Sequence, residues 1–131
     1  MDLHDNPVQM SEYRNASVIL VVNIALDCAY AWSKFKELNE FYARNKNNNK
    51  DDNDNVRKVE VLGFPCGQFG HELIHPETTI IERYNVSFPV FRQVDVNGPS
   101  AAPLYSYLKR KTSPTGKLMI NKPRLCLFFF S

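Results

Sequence analysis

Long hydrophobic runs are what this chain most plainly lacks. No apolar stretch approaches the ~20 residues that a membrane-crossing helix requires, so no membrane role is expected. Charge of one sign is lacking too. Sixteen Lys and Arg stand against fourteen Asp and Glu, for a net charge of +2. The basic residues are scattered, with no stripe interleaved with aromatics, so nucleic acid is not an expected partner. Cysteine is scarce: Cys28, Cys66 and Cys126 are an odd number at wide, unequal spacings. With no CxxC and no paired Cys/His cluster, neither a disulfide framework nor a structural zinc site is expected. Reduced thiols in a cytosol-like compartment are the default. The polar, acidic opening Met1-Asp2-Leu3-His4-Asp5 does not read as a secretory signal, which makes cytoplasmic residence the expectation. His71 and His75 are four apart with Glu72 between them, but they fall in a Pro-containing loop and no third ligand is evident, so no metal is expected.

What remains is one domain over 1–131, long enough to bury a core. Val18 to Ala25 is a continuous apolar run rich in β-branched residues, the pattern of a strand covered on both faces. From Ala29 to Arg44 the period turns helical, with Ala31, Phe35, Leu38 and Phe41 or Tyr42 inward and Asp27 as N-cap. Pro7 to Met10 reads as a short strand or arm. Asn45 to Asn55 contains no apolar residue and is expected to be a disordered low-complexity insertion. Val59 to Phe64 resumes as a second buried strand, and strand–helix–strand at this length implies a parallel pair with a right-handed crossover.

Further on, Pro76 to Tyr84 reads as a short helix with Ile80, Ile81 and Tyr84 inside. Phe88 to Phe91 and Val94 to Val96 read as strand pieces, and Asn97-Gly98-Pro99 as a turn. Ala101 to Lys111 gives a helix with Leu104, Tyr105 and Leu108 inward, and Lys109, Arg110 and Lys111 suited to its C-terminal dipole. A divergent tail begins at about residue 112. Within it Leu125 to Phe130 is either a closing strand or a frayed end.

Two side chains fall just past the carboxyl ends of the two strands, the edge at which open α/β sheets bind ligands. One is the Cys28 thiol. In the first turn of a helix, unpaired N–H groups and the dipole favour a thiolate, which can attack peroxide oxygen and become a sulfenic acid. Its bland reading is a buried structural cysteine. The other is the Gln68 carboxamide, which offers two donors to a thiolate or a departing hydroxide; its bland reading is a loop residue. A turn position predicts that Gln68→Ala changes stability by less than about 1 kcal/mol. Cys66 is either a packed small hydrophobe or a trap for oxidised Cys28. Trp32, the only tryptophan, reads as packing.

Together these segments resemble the glutathione peroxidase family. The likeness begins at Tyr13-Arg14 and runs through Val22-Asn23-Ile24-Ala25-Leu26-Asp27-Cys28 and Phe35-Lys36-Glu37-Leu38-Asn39. It continues in Leu62-Gly63-Phe64-Pro65-Cys66-Gly67-Gln68-Phe69-Gly70-His71-Glu72, then Tyr84 to Phe91, then Val94 to Lys109. The resemblance implies a thioredoxin-like three-layer α/β/α sandwich with a mixed central sheet. It also implies a peroxidatic Cys28, an activating Gln68 and Asn121 in the place of the family's asparagine. The implied activity is reduction of hydrogen peroxide or organic hydroperoxides by a thiol, glutathione foremost, with no bound cofactor, in the response to oxidative stress. Departures from the family pattern are Gly67 for asparagine, a lone Glu72 where a Gln-Glu pair is usual, Ile80 where a resolving cysteine often sits, and Ile120 where the family has tryptophan. They leave a second expectation open, a catalytically impaired redox sensor or interaction protein. Oligomeric state is not indicated.

Overall fold

The computed structural model describes residues 1–24, 31–48, 58–68, 77–112 and 127–130. Strands β1 (Val18–Ile24) and β2 (Val59–Pro65) pair in parallel, Val18 opposite Val59 and Ile24 opposite Pro65. The helix α1 (Ala31–Asn48) lies between them in the chain. Strand β3 (Leu127–Phe130) runs antiparallel along the other side of β1, giving a mixed sheet of order β2-β1-β3. The closing-strand reading of the tail is therefore the one the fold adopts.

Central β1 is apolar along both faces because both are covered. Leu20, Val22 and Ile24 pack with Phe35, Leu38 and Tyr42 of α1 and with Ile80 and Tyr84 of α2 (Glu77–Tyr84). Val21 faces the opposite way, into a cluster with Leu62 and Phe64 of β2 and Tyr105 and Leu108 of α3 (Pro103–Thr112). Three layers result, helix on sheet on helix. Ring contacts run within and between layers: Phe35 of α1 stacks on Tyr84 of α2 at 4.4 Å, and Phe64 of β2 meets Phe91 at 4.8 Å and Tyr105 of α3 edge-on at 5.8 Å. On α1 it is Tyr42, not Phe41, that turns inward.

Three local expectations are corrected. First, α1 runs to Asn48, so residues 45–48 are helix and not loop; Asn45 Nδ2 donates back to the Phe41 carbonyl at 2.7 Å. Residues 49–55 of the Asn-rich tract lie outside the described residues. Second, α3 starts at Pro103, not Ala101. Proline suits the first helical position and disfavours helix at the residue before it.

Third, the stretch 88–96 forms only isolated bridges, Gly63 with Val90 and Asp95 with Ala101. Gly63 N donates to Pro89 O at 2.8 Å and Phe91 N to Gly63 O at 2.9 Å. No regular ladder forms because Pro89 and Pro65 have no N–H and the two donors after Phe91 are used elsewhere; only Val94 N returns to Pro65 O, at 2.9 Å. Arg92 N bonds Met1 O, and Gln93 N bonds Glu77 Oε1 at 2.8 Å. Of the two readings of Pro7 to Met10, strand or arm, the fold adopts the arm, leading into a 3-10 turn at Met10–Tyr13. Asp5 anchors this arm by accepting two 3.0 Å bonds from the Arg92 guanidinium.

Candidate active site

Because β1 and β2 are parallel, both release the chain at the same edge of the sheet. Cys66 N donates to Ile24 O at 2.9 Å, carrying the pairing one step past Pro65. Two residues later the chain turns at Gln68. The other expected site residues, Cys28 and Asn121, lie outside the described residues, as do Cys126, His71, Glu72 and His75.

Gln68 is held far more firmly than a loop glutamine. Its Oε1 accepts from Val96 N and from Asn97 N, each at 2.9 Å, while its Nε2 donates to Asn97 O at 2.9 Å. This pattern fixes which end of the carboxamide is oxygen, since two backbone donors can only face an acceptor. Among the described residues the second Nε2 hydrogen has no acceptor. These bonds argue for a larger stability cost on removing Gln68 than its turn position alone suggests. Val96 is fully buried, and a buried N–H stripped of its acceptor costs about 1–3 kcal/mol. Gly98, immediately after Asn97, takes φ +84°, a conformation that a side chain resists, so the turn that presents Asn97 to Gln68 depends on glycine.

Cys66 is a free thiol, only 2% exposed, packed with Leu62, Phe64, Phe91 and Tyr105. Its Sγ lies 3.9 Å from Gln68 Oε1. Burial pushes the thiol pKa up; the backbone N–H groups of Gln68 and Val96 pull the other way, and the Asp95 charge adds to the rise. A thiol held protonated is a poor nucleophile. Both features match the reading of Cys66 as a packed small hydrophobe; Cys28, the thiol it would trap, lies outside the described residues.

Two participants were not anticipated from the sequence. Lys109, read as a dipole-complementing surface residue, is 8% exposed and donates from Nζ to Asn97 Oδ1 at 2.7 Å. The signal was present: Tyr105, Leu108 and Lys109 stand at i, i+3 and i+4, one face of α3. Asn23 is the other, a 2% exposed carboxamide opposite Phe64 near the end of β1, with no hydrogen-bond partner for either polar atom among the described residues. Trp32 packs edge-on against Tyr84 at 5.0 Å yet stays 59% exposed.

A cavity of about 480 Å³, lined by Met10, Tyr13, Arg14, Ile19, Leu104 and Tyr107 among others, opens beside the start of β1. It sits at the opposite end of the sheet from Gln68 and takes no part in this site. Among the described residues no group of three His, Cys, Asp or Glu could hold a metal ion, and no helix is long and apolar enough to cross a membrane.

A family model described as Glutathione peroxidase matches residues 1–109. The chain is 36% identical over 115 residues to the probable glutathione peroxidase 8 of Arabidopsis thaliana, covering 83% of this chain and 62% of that protein. It is 38% identical over 112 residues to a probable phospholipid hydroperoxide glutathione peroxidase of Mesembryanthemum crystallinum, covering 82% and 60%. The solved structure of Trgpx in apo form superposes with a TM-score of 0.62 at 33% identity, covering 98% of this chain and 68% of that one. The chain therefore spans about 60% of the length of these two curated relatives. The layered mixed sheet is the thioredoxin-like fold of these neighbours. By matched residues, identity and fold together, the chain belongs to the glutathione peroxidase family.

Proposed function

We propose that this chain is a thiol-dependent peroxidase that reduces hydrogen peroxide or organic hydroperoxides, with glutathione as reductant and no bound prosthetic group. The observation that carries the reading is the Gln68 carboxamide, clasped by Val96 and Asn97 with one amide hydrogen to spare, at the edge where the chain leaves β1. Cys28 follows Ile24 by four residues, and four residues span at most about 14 Å. In this reading the Cys28 thiolate attacks the nearer peroxide oxygen. An S–O bond forms, the O–O bond breaks, and the departing hydroxide or alkoxide takes a proton to leave as water or alcohol. A donor fixed beforehand stabilises the charge moving onto that oxygen without reorganising at the moment of reaction.

Glutathione then attacks the sulfenic sulfur, releasing water and leaving a mixed disulfide. A second glutathione frees the Cys28 thiol and departs as glutathione disulfide. Asn121 is assigned as a further donor by its place in the family pattern. The name of one relative, a probable phospholipid hydroperoxide glutathione peroxidase, supports organic hydroperoxides as substrates beside hydrogen peroxide. Free thiols at wide spacing support a reducing, cytoplasmic setting.

The test is peroxide consumption by the 131-residue chain, followed with and without glutathione. Turnover that needs both glutathione and Cys28, and disappears in Cys28→Ser, is the expected result. Equal consumption by Cys28→Ser would overturn the reading.

A further inference from the structure

We propose that Lys109 is a positioning residue for the peroxide reaction, holding Gln68 in its donating geometry through Asn97. The inference rests on the reading of Gln68 as the activating amide and deepens it. Lys109 Nζ donates to Asn97 Oδ1 at 2.7 Å, and the backbone of that same asparagine holds both ends of the Gln68 carboxamide. No ion pair among the described residues involves Lys109. A lysine whose side chain is almost wholly covered, with its ammonium bonded to a neutral amide, carries a desolvation cost, and burial alone pulls its pKa below the usual lysine value.

The cost is not explained by helix α3. Arg110 and Lys111, both exposed, already place positive charge in its last turn. What Lys109 supplies that they cannot is a charge-assisted bond, stronger than a neutral one, to the residue that aims Gln68. Remove the ammonium and the Asn97 side chain loses this anchor. The Gln68 carboxamide then spends less time with its spare hydrogen in one place, and a donor that must be reoriented during reaction is a weaker one.

The experiment is a double-mutant cycle on the full 131-residue chain, Lys109→Met and Gln68→Ala singly and together, with Lys109→Gln as a second removal of charge should the methionine variant fold poorly. Two readouts are taken: the second-order rate of Cys28 oxidation by hydrogen peroxide, and the nitrogen-15 NMR signals of the Gln68 side-chain amide, with thermal melting as the folding control. Lys109→Met is expected to slow oxidation about tenfold, a part of the 10²–10³ that loss of a whole donor costs. It should also move the Gln68 amide signals towards those of a mobile glutamine. In the Gln68→Ala background the same change should alter the rate less than about twofold, since residues acting through one another are not additive.

Unchanged Gln68 signals in Lys109→Met would overturn the proposal, whatever the rates. So would a Lys109 effect that persists undiminished without Gln68, which would mark a direct action on the thiolate. If Gln68→Ala itself leaves the rate unchanged, the reading of Gln68 as activator fails instead, and the NMR signals still decide whether Lys109 holds it.

Discussion

Gln68 has two roles that pull its substitutions in different directions. Its oxygen closes the turn at Val96 and Asn97, and in the proposed reaction its nitrogen donates the hydrogen that Asn97 O does not take. Gln68→Glu separates them. It keeps an acceptor for the two backbone N–H groups, removes the donor, and sets a carboxylate oxygen against Asn97 O. Oxidation of Cys28 should slow by about a hundredfold, while stability falls by roughly 1–2 kcal/mol, read by stopped-flow and urea melts; an unchanged rate would show that no Gln68 hydrogen is used. Cys66 gives a second prediction at this scale. Burial raises its folded pKa above the ordinary 9.0, so its contribution to stability is complete below pH 9 and is lost as pH rises beyond it. Tyr13 and Tyr42, also raised chiefly by burial, act in the same sense above pH 10. Urea midpoints followed from pH 7 to 10 should fall, and fall less steeply in Cys66→Ala; parallel curves would count against a protonated, buried thiol. The sequence placed Gln68 at the strand end but not its partners, because those bonds join residues 28 and 29 positions apart. It likewise hid Lys109 behind two exposed cations of the same helix turn.

Elements were legible wherever period alone decides. The strands of the parallel pair ended within a residue of expectation, and α2 kept its Ile80 and Tyr84 face. Where donors and acceptors decide, sequence was a poorer guide. Nothing local in Phe88 to Val96 shows that Arg92 N and Gln93 N are used by Met1 and Glu77, which is why two strand pieces shrink to bridges. The same edge explains Gly63. A Cβ there would lie 2.9 Å from Ile24 Cδ1 and 3.0 Å from Phe88 Cε2, so β2 can take the 88–91 segment at its side only with a bare Cα. Gly63→Ala is expected to cost about 1–3 kcal/mol through overpacking, seen as a lower urea midpoint with unchanged slope. A neutral substitution would mean that this approach is looser than described.

At the scale of the molecule, the sheet order places β1 centrally between β2 and β3, and the two parallel strands end where Gln68 is clasped. Family membership follows from matched residues and fold. The activity of this chain, about 60% as long as those two curated relatives, is a proposal about its own residues. The most direct test is to add one equivalent of hydrogen peroxide to the native chain, quench over milliseconds to seconds, and map sulfenic acid on all three cysteines by mass spectrometry. Cys28 should oxidise first and at a rate well above that of the same thiol in urea, with Cys66 still reduced. Oxidation of Cys66 or Cys126 ahead of Cys28, or a Cys28 rate no greater folded than unfolded, would contradict the account.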